Sequence, residues 1–256
     1  MKILVIGDSC TDKFIYGECN RICPEAPVPV FNPIEQKSNG GMAKNVFNNL
    51  VSLSNDWEID LVTNENEITK TRLVDKKTNQ MLLRVDEDDY CKRVKNDVIT
   101  KLGDYDAVVI SDYDKGFLTE SSIKYLIAKY PMTFIDSKKL FNKWINGVTF
   151  LKINEVEYNR NRKNLKDYKG NLIVTLGEKG VDFNGTIIPP KRQAEVSDLS
   201  GAGDTFFAAF VCGILKNKGI KSSIDFAQDC ALSVIEKKGV VTVKNNLEYS
   251  IPFCIL

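Results

Sequence analysis

The chain has 256 residues, 43% of them hydrophobic, so it is long enough for one α/β domain with a substantial core. Its 35 Lys and Arg side chains nearly balance 34 Asp and Glu side chains, and a formal charge of +1 does not favour nucleic acid or an anionic membrane as partner. The sequence has no histidine, which excludes Ser-His-Asp and Cys-His catalysis and leaves general-base work to Asp, Glu, Lys, Tyr or Cys.

The N-terminal stretch "MKILVIGDSC" has too short an apolar run for a secretion signal and predicts a buried strand. The longest apolar run, residues 206–215, is too short to span a bilayer. We therefore expect a cytoplasmic protein that does not contact membranes. The seven cysteines are odd in number and form no C-x-x-C pair, which favours reduced thiols over disulfides or a metal site.

Apolar runs typical of strands alternate with helical patterns along the chain. The predicted strands are residues 2–7, 106–111, 132–136, 148–153 and 171–176, and the predicted helices include residues 41–53 and 119–129. Continuous apolar strands separated by helices predict a mostly parallel sheet with helices on both faces and a site at the carboxyl ends of the strands. Acidic and amide side chains follow these strands: Asp8, Asp12, Asp112, Asp136 and Asn154.

Two stretches depart from this pattern. Residues 27–36 and 69–85 combine prolines, alternating polarity and a polar turn, which are typical of edge strands and an exposed hairpin. Together they predict a small β-sheet flap, with strands inserted at about residues 13–37 and 68–86. No repeat or linker divides the sequence, so we expect a single domain over residues 1–256.

Two glycines, Gly40 and Gly41, precede an apolar-striped helix that carries Asn45 in its first turn. A tight turn with glycine at positive φ explains this pair without any ligand. In the functional interpretation, the exposed backbone amides and Asn45 contact the hydroxyls of a sugar.

Asn154 and Glu157 lie at positions i and i+3, on one helix face at a strand end. They are either a solvated surface pair or oxygen groups suited to a hydrated Mg²⁺ that touches the protein only through water. Residues 175–183, "TLGEKGVDF", indicate a strand, a glycine turn and a second strand, and a hairpin accounts for them equally well.

The stretch "DLSGAGDTFFAAF", residues 198–210, places small residues in front of a strongly apolar helix. A helix-capping turn is one explanation. The other is an anion site, because bare amides and the positive end of the helix dipole point the same way. Asp204 in the first turn would stay ionised, and a carboxylate beside an anion cradle is the pairing that phosphoryl transfer to a hydroxyl requires.

In chain order, "GGMAKN", "NEVE", "TLGEKG" and "DLSGAGDT" resemble the ribokinase (PfkB-type) family of carbohydrate kinases. The strings "RICPEAPVPVF", "LLRVDEDD", "SDYDKG" and "IDSKK" are similar to the branch of this family that phosphorylates D-glycero-β-D-manno-heptose 7-phosphate for lipopolysaccharide. The resemblance covers almost the whole chain. It implies a ribokinase-like three-layer α/β/α fold whose small β-sheet is a lid and the usual surface of a homodimer.

The resemblance also implies roles for individual residues. Asp204 would be the catalytic base, and the amides of Gly201, Ala202 and Gly203 would form the anion hole. The residues implied on the nucleotide and Mg²⁺ side are Asn154, Glu157 (indirectly, through water), Thr175, Gly177, Gly180 and Asp198. The residues implied on the sugar side are Asp12, Gly40, Gly41 and Asn45 for the hydroxyls and, on charge and position, Arg21, Arg84, Lys115 and Lys138 for the phosphate.

We therefore expect an ATP- and Mg²⁺-dependent kinase that forms the 1,7-bisphosphate at the anomeric hydroxyl of the heptose. The need for a monovalent cation stays open. So do two alternatives, a kinase for another sugar and a non-catalytic sugar or nucleotide sensor on the same fold. Only about fifteen residues separate the helix ending near residue 53 from the strand at residue 69, where relatives carry a further strand-helix-strand unit, and Gln228 replaces a common Asn near the adenine pocket.

Overall fold

A computed structural model of the chain describes residues 1–237, 239, 242 and 243. The strands in this part are β1 (Lys2–Gly7), β2 (Ser9–Ile22), β3 (Pro29–Met42), β4 (Glu58–Thr63), β5 (Thr69–Asp75), β6 (Met81–Glu87), β7 (Ala107–Asp112), β8 (Thr133–Ser137), β9 (Phe150–Asn154), β10 (Asn171–Thr175), β11 (Val181–Phe183) and β12 (Thr186–Ile188). The helices are α1 (Ala43–Leu53), α2 (Asn96–Thr100), α3 (Glu120–Lys129), α4 (Glu155–Asn161), α5 (Ala202–Leu215) and α6 (Ile220–Ile235).

The larger sheet has eight strands in the order β12-β11-β10-β9-β8-β7-β1-β4. The strands from β10 to β4 pair in parallel, and β11 and β12 add an antiparallel hairpin at one edge. Because successive side chains of a strand point to opposite faces, Ile3 and Val5 pack with α1, α5 and α6, whereas Leu4 and Ile6 pack with α3. The predicted parallel sheet with helices on both faces is confirmed.

The smaller sheet has four strands in the order β3-β2-β5-β6. Two of them, β2 and β3, are 14 residues long and pair from Ser9 and Met42 outward. The first pair of strands therefore extends beyond the expected bounds of 13–37, because the β2–β3 ladder continues down to the end of β1. The second pair, β5 and β6, agrees with the expected 68–86 to within one residue. Only Asp8 separates β1 from β2, so the smaller sheet is rooted directly at the carboxyl edge of the larger one.

Strand β4 has no counterpart among the predicted elements. It fills the short connection after α1 and pairs in parallel with β1 at the edge of the larger sheet. Its residues are half-buried or exposed, so "EIDLVT" lacks the continuous apolar run of a central strand. The connection thus contributes one edge strand before β5.

Six cysteines in the described part of the chain are free thiols, and Cys254 lies outside the described residues. No helix formed by residues 1–237 combines the length and the hydropathy that crossing a membrane would require. Four central strands, β1, β7, β8 and β9, end at the same edge of the larger sheet, and α5 begins there. This edge, covered by the smaller sheet, is where the expected site residues gather.

Candidate active site

A cavity lies between the carboxyl edge of the larger sheet, the start of α5 and the smaller sheet. Its charged lining consists of five cations and two carboxylates: Lys70, Arg72, Arg84, Lys115, Lys138, Asp12 and Asp204. The other lining residues are Cys10, Met42, Tyr113, Ser200 and Gly201. The excess of positive charge suits an anionic ligand, although the chain as a whole is almost neutral.

Asp204 stands in the first turn of α5 and is only 4% exposed. Its Oδ1 accepts a hydrogen bond from the Tyr113 hydroxyl at 2.6 Å, and its Oδ2 accepts one from Asn45 Nδ2 at 3.1 Å. Burial raises the pKa of Asp204 to about 6, and the two hydrogen bonds oppose that rise. The group is therefore mostly ionised at neutral pH and basic enough to take a proton from a hydroxyl.

The start of α5 has backbone amides without a side-chain cap from the described residues, although the amide of Ala202 already donates to the Leu199 carbonyl at 3.3 Å. Gly201 adopts a left-handed conformation (φ 80°), and no side chain among the described residues caps the helix. A Cβ atom added at Gly203 would lie 3.4 Å from Lys152 Nζ. The predicted residues Gly201, Ala202 and Gly203 are thus brought beside Asp204, with a lysine close behind them. A helix-capping turn, the alternative explanation of the small residues before α5, does not account for the buried Lys152 beside Gly203.

Lys152 is a site residue that the sequence interpretation missed. It is 4% exposed, in the middle of β9, and its Nζ forms an ion pair of 2.6 Å with Asp136 at the end of β8. Burial lowers the pKa of Lys152, but attraction to Asp136 outweighs it and the net pKa is raised. Lys152 is therefore a permanent buried cation. The available signal was a lone lysine inside the apolar strand "FLKIN".

Asn154 and Glu157 form a capping box at the start of α4. Asn154 Oδ1 accepts from the Glu157 amide at 2.8 Å, and Glu157 Oε2 accepts from the Asn154 amide at 2.9 Å. The alternative of a solvated surface pair is wrong for Glu157, which is only 7% exposed. Burial, followed by the charge of Asp136, raises the pKa of Glu157. Within the described residues, no three His, Cys, Asp or Glu side chains are grouped to hold a metal ion directly.

The expected nucleotide-side residues lie around the β10–β11 hairpin, outside the cavity lining. Thr175 ends β10, and Gly177 and Gly180 have φ values of 61° and 94° in the turn that follows. A Cβ atom at Gly180 would overlap the carbonyl oxygen of Ile188, so close backbone packing requires glycine there. The predicted strand, turn and strand are confirmed. Gln228 approaches Gly180, and its buried Oε1 has no hydrogen-bond partner among the described residues.

Asp198 organises the loop that leads into α5. Its Oδ1 accepts from the Ser200 amide at 2.8 Å, and its Oδ2 accepts from the Gly239 amide at 3.1 Å. Both carboxylate oxygens therefore accept hydrogen bonds from backbone amides, and Asp198 links the segment before the anion-hole glycines to residue 239. Its expected role on the nucleotide side remains a prediction.

On the sugar side, Asp12 and Gly41 meet at the base of the β2–β3 ladder. Asp12 lines the cavity and pairs with Arg72 at 2.5 Å, and a Cβ at Gly41 would overlap Asp12 Oδ2. The tight-turn explanation of the two glycines is wrong, because Gly40 and Gly41 lie within β3 and the residue with positive φ is Met42 (φ 58°).

Asn45 is not among the residues that line the cavity. It is 1% exposed, and its Nδ2 is bonded to Asp204. Its Oδ1 accepts from Asn49 Nδ2 at 3.0 Å, which fixes the orientation of the amide. In the described part of the chain Asn45 therefore supports Asp204, and a direct contact with sugar hydroxyls remains a prediction.

Three of the four cations chosen for a sugar phosphate, Arg84, Lys115 and Lys138, line the cavity. Arg21 does not. It is exposed near the outer end of β2, opposite Val30, because this strand is 14 residues long and carries Arg21 away from the sheet edge. The assignment of Arg21 to this cavity is therefore corrected.

Lys70 and Arg72, two further cavity cations on β5, were missed by the sequence interpretation although they alternate in "TKTRL". Four of the five cavity cations are already paired: Lys70 with Asp86 (3.2 Å) and Asp89 (2.7 Å), Arg72 with Asp12, Arg84 with Asp86 (2.6 Å) and Lys115 with Asp89.

Lys138 is the fifth cavity cation and has no carboxylate within 4.0 Å among the described residues. Its Nζ lies 4.0 Å from the centroid of the Tyr113 ring.

Comparison with known proteins identifies the family to which the chain belongs. The profile of the family described as pfkB family carbohydrate kinase matches residues 64–246. The bifunctional protein HldE of a Nitratiruptor species is 31% identical over 290 residues, covering 94% of this chain and 63% of the relative. HldE of Campylobacter jejuni subsp. jejuni is 32% identical over 289 residues, covering 94% and 62%. The chain thus spans somewhat less than two thirds of the length of these relatives.

Solved structures resemble the chain at lower identity. Ribokinase from Thermotoga maritima superposes with a TM-score of 0.70 at 16% identity, covering 93% of this chain and 94% of the other. Phosphofructokinase-2 from Escherichia coli, solved in complex with potassium, gives a TM-score of 0.69 at 14% identity, covering 96% and 95%. The expected ribokinase-like α/β fold with a second, smaller sheet is confirmed.

Proposed function

Because the chain belongs to the pfkB family of carbohydrate kinases, we propose that it phosphorylates D-glycero-β-D-manno-heptose 7-phosphate at the anomeric hydroxyl, using ATP. The observation that carries this proposal is the cationic cavity that opens onto Asp204. A base and an excess of cations in one cavity fit a sugar that already bears a phosphate. The HldE relatives and the strings "SDYDKG" and "IDSKK" support the heptose as that sugar.

Lys138 is the cation best placed to receive the substrate phosphate. The carboxylates of Asp12, Asp86 and Asp89 pair with the other four cavity cations and lower their net charge. An incoming dianion finds in Lys138 a charge-assisted donor that need not be withdrawn from an existing ion pair. Arg84 and Lys115, both at the cavity wall, are expected to complete the phosphate site.

The residues around Asp204 can carry out the transfer. Asp204 accepts the proton of the sugar hydroxyl, whose oxygen then attacks the γ-phosphorus in line. The amides of Gly201, Ala202 and Gly203, with Lys152 behind them, stabilise the negative charge that develops on the transferred group. Mg²⁺, when bound, would supply further neutralisation of the phosphate charge. The proton and the charge are thus handled by adjacent parts of one helix turn.

The nucleotide is expected to lie beyond the anion hole, near the β10–β11 hairpin. An unpartnered buried acceptor on Gln228 and the open space around Gly177 fit a ligand on this side. Asn154, Glu157, Thr175, Gly177, Gly180 and Asp198 are the residues proposed to hold or surround ATP. Glu157 is proposed to contact Mg²⁺ through water, since a direct cage is not formed by the described residues. Dependence on a monovalent cation remains a prediction.

A homodimer through the smaller sheet also remains a prediction. It is supported by large apolar side chains that this sheet leaves exposed on β6 and at the β2–β3 end: Ile22, Val28, Met81, Leu82, Leu83 and Val85. Expectations of a cytoplasmic location and of no nucleic-acid or membrane partner are likewise untested by the geometry.

The proposal is tested by offering ATP and Mg²⁺ with five acceptors: the heptose 7-phosphate, ribose, fructose, fructose 6-phosphate and tagatose 6-phosphate. ADP release gives the rate, and phosphorus NMR gives the position of the new phosphate. We expect turnover with the heptose 7-phosphate at least about 100-fold above the others, with a new anomeric phosphate. The Asp204→Asn variant, prepared in parallel, controls for a contaminating kinase.

Each other outcome selects a different function. Turnover on another acceptor keeps the sugar kinase and overturns the heptose assignment. Binding of sugar and nucleotide without turnover overturns the enzyme proposal and supports the sensor.

Replacing Lys138 with Met is expected to raise KM for the phosphorylated sugar by about 10- to 100-fold, with a smaller change in kcat. The reason is the loss of the one cavity cation that has no carboxylate partner among the described residues. Arg21→Met is the matched control, because it removes an exposed charge outside the cavity lining. Equal KM values for the two variants would contradict the assignment of Lys138. Steady-state kinetics with varied sugar phosphate at saturating ATP makes the measurement.

A further inference from the structure

We propose that Tyr113 is a positioning residue for the catalytic base: its hydroxyl fixes the Asp204 carboxylate and holds it in the ionised form while the sugar hydroxyl approaches. This inference rests on the proposed role of Asp204. It assigns a function to the tyrosine of "SDYDKG", which the sequence interpretation left without one.

Tyr113 is held at three points. Its amide donates to Asp8 Oδ2 at 2.7 Å, its hydroxyl donates to Asp204 Oδ1 at 2.6 Å, and its ring packs against Lys138. Asp8 is completely buried, and its Oδ1 accepts from the Phe117 amide at 3.1 Å. One carboxylate at the end of β1 therefore anchors both ends of the segment that carries Tyr113, so the hydroxyl is presented to Asp204 from a fixed backbone.

Asn45 completes a clamp on the base. Tyr113 and Asn45 bind different oxygens of Asp204 and come from different elements, the loop after β7 and helix α1. Two donors on the two oxygens define the plane of the carboxylate. An ionised carboxylate has about four acceptor positions, so one position on each oxygen is left for the sugar hydroxyl on the cavity side. The clamp therefore orients the Asp204 carboxylate and still leaves it able to accept the proton of the sugar hydroxyl.

Tyr113 does not itself carry the transferred proton. Burial, and then the charges of Asp204 and Asp136, raise the pKa of Tyr113 well above its ordinary value. The phenol therefore stays protonated and acts only as a donor. In the reaction the sugar O–H bond breaks, its proton goes to Asp204, and the sugar oxygen forms its bond to phosphorus as the bond to ADP breaks.

The hydrogen bond from the Tyr113 hydroxyl must also affect the pKa of Asp204. The charged groups that act on Asp204 are Asp136, which raises its pKa, and Lys152, which lowers it. Cys10 is neutral beside it, since burial raises the pKa of that thiol to about 12. Of the effects that lower the pKa of Asp204, the Tyr113 hydrogen bond is the largest. Removing the hydroxyl should therefore move the pKa of the base upward, away from its present value of about 6.

The test is the pH profile of kcat/KM for Tyr113→Phe. We expect its acid limb to move up by about one pH unit and the plateau kcat to fall about 10-fold, with KM for ATP unchanged. Tyr105→Phe is the matched control. It also removes a tyrosine-to-carboxylate hydrogen bond, the 2.8 Å contact with Asp60, but outside the cavity lining. Its acid limb should stay in place.

Incorporation of 3-fluorotyrosine at position 113 covers the case in which the Phe variant fails to fold. The ring and the hydroxyl are kept, but the phenol becomes a stronger donor, so the acid limb should move downward. The pKa of Asp204 itself, followed by carbon-13 NMR of its carboxyl, should move in the same directions without any need for turnover.

The outcomes separate this inference from the proposed function. Wild-type turnover in Asp204→Asn would remove the base, and the role of Tyr113 with it. An inactive Asp204→Asn together with unshifted profiles in both Tyr113 proteins would leave the base in place and overturn the inference.

Discussion

Asp204→Asn is expected to lower kcat by about 10²–10⁴-fold, with little change in the dissociation constant for ATP. The amide cannot accept the hydroxyl proton, whereas the anion-hole amides of residues 201–203 remain in place. A coupled assay of ADP release gives kcat, and calorimetry gives the affinity for ATP. Asp97→Asn, an exposed acid in the first turn of α2, is the control for a simple change of charge and should behave as wild type.

The pH dependence of activity follows from the raised pKa of Asp204. Activity of the wild-type protein should fall as the pH drops through about 6, because the base becomes protonated.

The free energy of unfolding should depend on pH in the opposite direction. The folded-state pKa of Asp204 lies above the unfolded value of 3.8, so the contribution of this residue to stability is fully present below about pH 4 and is lost as the pH rises through about 6.

Asn carries no charge to desolvate, so Asp204→Asn should be at least as stable as wild type at about pH 7. A lower free energy of unfolding in this variant would mean that lost activity reflects lost structure. Turnover near that of wild type would show that another group accepts the proton.

Lys152→Met is expected to lower the free energy of unfolding by about 3–5 kcal/mol. The substitution leaves Asp136 buried without its 2.6 Å partner, in a region that already holds Glu157 and Asp204. Urea denaturation at neutral pH, read by circular dichroism, makes the measurement. Lys101→Met breaks a solvent-exposed ion pair with Asp97 and should leave the midpoint almost unchanged. A loss below about 1 kcal/mol for Lys152→Met would contradict the buried-pair interpretation.

A double variant separates the structural role of this pair from its role in turnover. In Lys152→Met/Asp136→Leu no buried charge of the pair is left unpaired, and most of the stability should return because apolar side chains can replace a buried ion pair. Turnover should remain low, since the cation behind the anion-hole amides is still missing. If both the stability and the turnover of the double variant returned to wild-type levels, Lys152 would have only a structural role.

Much of the fold was predictable because central parallel strands are buried on both faces. β1, β7 and β8 appear in the sequence as continuous apolar runs for that reason. Strand β4 could not be recognised in the same way, since it lies at the sheet edge, half-buried, with charged residues in its first half. The position of Arg21 could not be recognised either, because nothing in the sequence marks how far β2 runs outward before it ends at Ile22.

The site was predictable where its chemistry is local. Asp204 and the glycines before it are neighbours in the chain, so one short stretch indicates both a base and an anion hole. The partners of Asp204 were not predictable, because Tyr113 and Asn45 reach it from 91 and 159 residues away. Lys152 was hidden for another reason: its ion pair with Asp136 forms between adjacent strands and leaves no periodic pattern.

These long separations also bear on how the protein acquires activity when it refolds. Pairings between distant segments form slowly, because the entropy of closing a long loop is lost before any contact is gained. Helix α5 can form early from local contacts, but Asp204 meets Asn45 only when two distant parts of the chain have docked. After dilution from denaturant, helical circular dichroism should therefore return before turnover, and the delay would time the last long-range docking step.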